Sequence, residues 1–201
     1  LHFTIKPLTH FIFLSMELAA SLLGVWSVYL LIRRNVWAFP IGIVMVLLYA
    51  VVFYQAKFYS DMFLQGIYVI MQAQGWYAWT RGKATDEEEI AVRYLSARQW
   101  GMVAAFTAVL TGMAGYLMSR LTDASLPWID AFTTSLSLAA QWCLNQRYVE
   151  NWLLWIVVNT IYLYQYSSKG LYLTTGLYAL FWIMAVWGYR EWRMRRATAV
   201  A

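Results

Sequence analysis

Residues 36–55 read VWAFPIGIVMVLLYAVVFYQ, twenty residues without a charged side chain, with Arg34 just before them and Lys57 just after. A helix needs about 20 predominantly apolar residues to cross a bilayer. In lipid the backbone must satisfy its own hydrogen bonds, which a helix does. Working outward, six more stretches have similar length and similar polar boundaries. The spans predicted are Phe11–Ile32, Val36–Gln55, Asp61–Thr80, Gln99–Met118, Pro127–Gln146, Val149–Ser167 and Leu171–Tyr189. The short alternating segments of a membrane β-barrel are absent. The fold class is therefore all-α, a polytopic membrane protein with seven transmembrane helices.

Composition agrees. Hydrophobic residues make up 62% of the 201 residues and charged residues 12%, where a soluble domain carries about a quarter charged. Aromatic residues reach 18%, an amount of apolar surface that a small water-soluble fold could not hide. The one cysteine, Cys143, excludes an intrachain disulfide framework and a thiolate metal cluster. His2 and His10 both precede the first span, so no histidine metal site or proton relay is expected inside the membrane. No cleavable signal peptide is read, because the first apolar run is long enough to span and no small-residue cleavage site follows it. The chain begins with Leu, which points to missing native N-terminal residues.

A weak internal repeat organises the spans. Asn35-Val36-Trp37 is paired with Asn151-Trp152, and Lys57-Phe58-Tyr59 with Lys169-Gly170-Leu171-Tyr172. Gln65-Gly66-Ile67-Tyr68 is paired with Thr175-Gly176-Leu177-Tyr178, and Gly75-Trp76-Tyr77-Ala78-Trp79 with Gly188-Tyr189-Arg190-Glu191-Trp192. Two three-helix bundles can insert in the same orientation only if a further span joins them. The expected domains are a first bundle over 11–80, a cytoplasmic loop and linker helix over 81–120, a second bundle over 127–190 and a basic tail over 191–201. This parallel 3+1+3 plan is that of SWEET-like sugar facilitators. Four basic residues fall on the N-terminal side of the membrane, Lys6, Lys57, Arg120 and Lys169, and the other eleven on the opposite side. That bias puts the N-terminus outside and the C-terminus in the cytoplasm of a bacterial inner membrane. The acidic run Asp86-Glu87-Glu88-Glu89 reads as a solvated cytoplasmic loop.

Polar side chains at mid-span are costly in hydrocarbon and mark places of interest. Asn151, Trp155, Asn159 and Tyr162 line one face of span 6, with Trp152 on its flank. Gln65, Tyr68, Gln72, Trp76 and Trp79 form a stripe on span 3. Span 5 contributes Thr134, Gln141 and Asn145, and span 7 Tyr178 and Trp182. Each group also has a plain structural reading. Trp37, Trp79, Trp128, Trp152, Trp187 and Trp192 lie near span ends, where tryptophan belts are routine. Single amides often bridge helices. The alternation of amide and aromatic groups on spans 3 and 6 together is more specific and points to a ligand.

The absences narrow the chemistry. No carboxylate falls at a bilayer midpoint; Glu17, Asp61 and Asp130 lie near outer span ends. Coupling to a proton gradient is thus not expected, and no mid-span cation would balance a phosphate ester. No P-loop, nucleophile–base pair or metal-ligand cluster is present, so no enzyme activity and no cofactor is implied.

The run Glu150-Asn151-Trp152-Leu153-Leu154-Trp155-Ile156-Val157-Val158-Asn159, with Tyr162, Lys169-Gly170-Leu171-Tyr172 and Gly188-Tyr189-Arg190-Glu191-Trp192, resembles the PnuC family of nicotinamide riboside transporters. Lys57-Phe58-Tyr59-Ser60-Asp61, Gln65 and Gly75-Trp76-Tyr77-Ala78-Trp79 agree in the first half, so the likeness covers nearly the whole chain after about Glu17. The resemblance implies two three-helix bundles joined by a linker, one site at mid-membrane, a homotrimer, and facilitated diffusion with alternating access and capture by cytoplasmic phosphorylation. The substrate fits the residues. Tryptophan and tyrosine faces attract a pyridinium by about 0.5–2 kcal/mol each, and amides pair with carboxamide and ribose. The expected ligand residues are Trp152, Trp155, Asn159, Gln72 and Trp76, then Tyr68, Asn151, Gln141 and Tyr148. The partners expected are nicotinamide riboside, the lipid bilayer and further copies of the chain; no nucleic acid is expected. A sugar facilitator of the same plan, and the substrate-binding subunit of an ATP-driven vitamin importer, are the rival readings. The small pair Ala20 and Gly24 on span 1 would suit docking in the latter.

Overall fold

The computed structural model describes residues 5–55, 59–81, 91–122, 126–168 and 172–200, with backbone alone at 5–14, 59–61, 173 and 196–200. Seven helices follow in order: α1 Ile5–Ile32, α2 Ala38–Gln55, α3 Tyr59–Arg81, α4 Ala97–Leu121, α5 Pro127–Asn145, α6 Asn151–Ser168 and α7 Tyr172–Val200. All seven predicted spans are helices. The last runs past the predicted edge at Tyr189, and Glu191 and Arg195 pair across one turn of the extension at 2.6 Å. The acidic run 86–89 and the repeat segments at Lys57-Phe58 and Lys169-Gly170-Leu171 lie outside the described residues.

Three helical segments are long and apolar enough to span on composition alone: Ser15–Ile32 of α1, and all of α2 and α4. The other four helices carry the amide, hydroxyl and aromatic residues that lower mean hydropathy. In α5 the physical reason is visible. Its buried face is built from Ala131, Thr133, Ser135, Ser137, Ala139 and Ala140. Small residues let neighbouring helices approach in a membrane. The Ser135 and Ser137 hydroxyls donate to the Ala131 and Thr133 carbonyls, both at 2.7 Å, and so stay satisfied.

The chain divides into two compact units at Ile90. In the first, α2 packs on both α1 and α3. In the second, α4 packs on α5, α5 on α6 and α6 on α7, so the fourth helix groups with the second half.

The repeat is clearest at the turns. Among the described residues, Arg34 and Arg147 are the two with positive φ outside glycine, at 55° and 63°. Each follows a helix end with the same bond pair. Arg34 N–H donates to Leu31 and Asn35 N–H to Leu30; Arg147 N–H donates to Leu144 and Tyr148 N–H to Cys143. These are paired Schellman closures, which satisfy the last carbonyls of α1 and α5. Beyond the turn, the ring of Phe39 meets Trp79 edge-on, centroids 5.0 Å apart, and Trp152 meets Trp192 likewise at 5.4 Å. Phe39, Trp79 and Trp192 are wholly buried. Arg34 to Arg147, Phe39 to Trp152 and Trp79 to Trp192 keep one constant spacing. That register corrects two pairings read from sequence. Asn35 matches Tyr148 and not Asn151, and Gly66 matches Ala179 and not Gly176. The pairing of Gly75-Trp76-Tyr77-Ala78-Trp79 with Gly188-Tyr189-Arg190-Glu191-Trp192 keeps this register.

Candidate functional site

In the first unit, Gln72 of α3 is buried and lies against Gly42 of α2, so close that a β-carbon on Gly42 would fall 2.6 Å from its Nε2. Glycine there makes room for the amide. Gln72 Oε1 is buried with no hydrogen-bond partner among the described residues. Trp76, one turn on, is 42% exposed. Tyr68, one turn back, is half-buried. The three thus share a stripe, as their spacing predicts.

In the second unit the predicted residues separate into two groups. Tyr148, Trp155 and Tyr162 join the core of α4, α5 and α6 around Val103, Leu136, Ala140 and Val158. Asn159 is buried one turn beyond Trp155. Gln141 donates to Asn145 Oδ1 at 3.0 Å, one turn along α5. Trp152 points instead to α7. A β-carbon on Gly188 would lie 2.6 Å from its indole ring, so this glycine seats the tryptophan. The Trp152 Nε1–H is buried and has no acceptor among the described residues.

Tyr148 and Asn151 belong to the α5–α6 turn. Asn151 is wholly buried; its Nδ2 donates to the Tyr148 carbonyl at 2.6 Å, and its Oδ1 has no partner among the described residues. The Tyr148 hydroxyl bonds Gln99 Nε2 of α4, and the Arg93 guanidinium lies 5.1 Å over its ring. The extended segment before α4 closes on this turn. Arg93 N–H donates to Arg147, Val149 N–H returns a bond to Arg93, and the Glu150 carboxylate accepts from Leu95 N–H with both oxygens at 3.1 Å. Ser96 then caps α4 in a reciprocal box with Gln99. Burial, and then the nearby Arg93 charge, pull the Arg147 pKa below its ordinary value. This brace was not read from the sequence. Ser96 followed by Gln99 was the legible signal for the cap; the reach of Glu150 back to Leu95 had none.

Sequence reasoning also passed over the opposite end of this unit. Buried Gln165 of α6 donates to Asp130 Oδ1 of α5 at 2.8 Å. Tyr162, Tyr166 and Tyr178 cluster beside it, with centroids 4.8–5.7 Å apart. The belt reading of the tryptophans divides. Trp37, Trp128 and Trp187 are exposed, whereas Trp79, Trp152 and Trp192 are buried in packing. An apolar groove of about 500 Å³ runs along α4, α5 and α6, lined by Trp100, Val103, Ala108, Phe132, Leu136 and Leu154. Thr107 and Thr111 of α4 also line it, each with a buried hydroxyl that has no partner among the described residues. Among the described residues no cluster suits a metal ion.

Seven helices with amide and aromatic stripes, each packed on its chain neighbour within its own unit, fit a multi-pass membrane protein of the small-solute carrier class. A family model, that of the nicotinamide mononucleotide transporters, matches residues 14–194, and the chain belongs to this family. The family is one of transporters and not of enzymes. The chain is 30% identical to the nicotinamide riboside transporter PnuC of Neisseria mucosa, over 86% of this chain and 70% of that one. It is 25% identical to the riboflavin/roseoflavin transporter RibM of Streptomyces davaonensis, over 89% and 84%. The crystal structure of the vitamin B3 transporter PnuC superimposes with a TM-score of 0.74 at 27% identity, covering 91% of this chain and 82% of that one.

Proposed function

We propose that the chain carries nicotinamide riboside across a bacterial inner membrane by facilitated diffusion. The observation that carries the reading is that residues expected to face the ligand contribute three of the buried polar atoms without partners among the described residues, the Thr107 and Thr111 hydroxyls on the groove being others. Gln72 Oε1, Asn151 Oδ1 and Trp152 Nε1 all belong to residues singled out from the sequence as ligand-facing. An unsatisfied buried polar atom costs about 1–3 kcal/mol, a cost that a ligand or its water relieves. Within the first unit Gln72, Trp76 and Tyr68, and within the second Trp155, Asn159 and Gln141, are amides suited to carboxamide and ribose and rings suited to the pyridinium. Asn151 and Trp152 open α6 just after Tyr148 and offer further polar atoms without partners among the described residues. Curated relatives that bear the riboside in their names support this substrate. The family description names the mononucleotide, but no Lys or Arg lies mid-span to balance its phosphate. The protein works as a homo-oligomer, a trimer by resemblance, with its N-terminus outside; alternating access and cytoplasmic phosphorylation complete the uptake.

Uptake of labelled nicotinamide riboside into liposomes holding only the purified chain tests this. Uptake without ATP and unaffected by protonophores is expected. Transport of riboflavin in its place would favour the second reading, which the likeness to RibM supports. Transport of neither would end the proposal.

A further inference from the structure

Asp130 has no part in the site described above. It sits in the first turn of α5, half-buried, at the end of the second unit opposite the α5–α6 turn. A helix N-terminus favours a charged carboxylate, and no side chain caps α5 at Leu126. Buried Gln165 of α6 fixes one oxygen, Oδ1, at 2.8 Å. The groups around the carboxylate are the Thr133 hydroxyl, which bonds the Ile129 and Asp130 carbonyls on α5, and Tyr162 on α6. Tyr166 of α6 and Tyr178 of α7 stack beyond at 5.1 Å. None of these bears a positive charge, and among the described residues no cation pairs with Asp130; Lys169 lies outside them. A half-buried carboxylate held by an amide and walled by tyrosine rings is suited to a flat organic cation. The carboxylate supplies the charge, and the rings supply quadrupole attraction.

We infer that Asp130, oriented by Gln165 beside the tyrosine cluster, is the outer contact that makes this carrier prefer a cationic N-ribosyl pyridinium over a neutral nucleoside. This rests on the riboside reading and on the charge bias that puts this end outside. Gln165 is a positioning residue. It fixes the carboxylate through Oδ1.

The test uses two substrates on the full chain in liposomes: nicotinamide riboside and its 1,4-dihydro form, which keeps ribose and carboxamide but is neutral. Asp130→Asn keeps the shape and can keep the Gln165 bond. It should lower uptake of the cation, measured below saturation, about tenfold, the size of one screened charge contact. Uptake of the dihydro form should stay within about twofold. Asp130→Glu should retain the preference, and raising the salt should bring the wild type toward the Asn variant. An equal loss for both substrates would make Asp130 structural, and no loss for either would remove it from the path; both overturn the inference. Failure of the wild type to take up either substrate would instead be a failure of the riboside reading.

Discussion

The two repeats share a scaffold and differ in where their polar side chains lie. Helices α1–α3 and α5–α7 end and begin on the same Schellman turn and close on the same edge-on aromatic pair. In that shared register, Asn151, Trp155 and Asn159 of α6 match Ala38, Gly42 and Val46 of α2, while Gln72 of α3 matches Ala185 of α7. The polar residues therefore sit on the middle helix of the second half and on the last helix of the first. Volume follows the same exchange. The first half puts glycine on α2 and a long amide on α3; the second puts tryptophan on α6 and alanine on α7. A duplicated frame can thus hold different polar side chains in its two halves, because the turns and clamps that fold it are separate from the positions that differ.

The clamps give the largest expected effect. Phe39→Ala and Trp152→Ala should each destabilise the protein by about 3 kcal/mol, through lost packing and a residual cavity, read as a fall in thermal stability in detergent. Trp152→Phe, the first half's own residue, should keep most of the stability. A silent change at one of the two positions would break the structural equivalence. Next, Asn159→Leu should weaken riboside binding by at least tenfold with the fold retained, as it removes one buried hydrogen-bonding group. The matched Val46→Leu should leave binding unchanged, and equal effects in calorimetry would deny the asymmetry. The glycines sharpen the volume argument. Gly188→Ala forces a β-carbon against a rigid indole and should cost about 2 kcal/mol, whereas Gly42→Ala meets the end of a flexible glutamine and should cost about half that. The smallest effect concerns the turns. At Arg34 and Arg147, Gly variants should exceed Ala variants by about 1 kcal/mol in stability, because only glycine adopts positive φ without strain. A difference at one turn alone would separate the two halves.

Much of this was legible in the chain. Charge-free runs such as 36–55 dictate helices of spanning length, because lipid leaves the backbone no other partner. The helical period put Gln72, Trp76 and Tyr68 on one stripe and Asn159 one turn beyond Trp155, where the structure has them. The sequence also showed that a repeat existed, through Gly75-Trp76-Tyr77-Ala78-Trp79 and its echo at Gly188-Tyr189-Arg190-Glu191-Trp192.

Tertiary structure decided the rest. The repeat register depends on αL backbone at Arg34 and Arg147, and arginine does not advertise a positive φ as glycine would. Whether a tryptophan serves a belt or a core depends on its neighbours. Trp37 and Trp152 both sit near a span edge, yet one is exposed and the other seated on Gly188. The brace of Glu150 on Leu95 and the bond from Gln165 to Asp130 join residues far apart in sequence. Spacing along a chain fixes what one helix presents on each face; which of those faces meet, and which polar atoms are left without partners, is set by packing between helices.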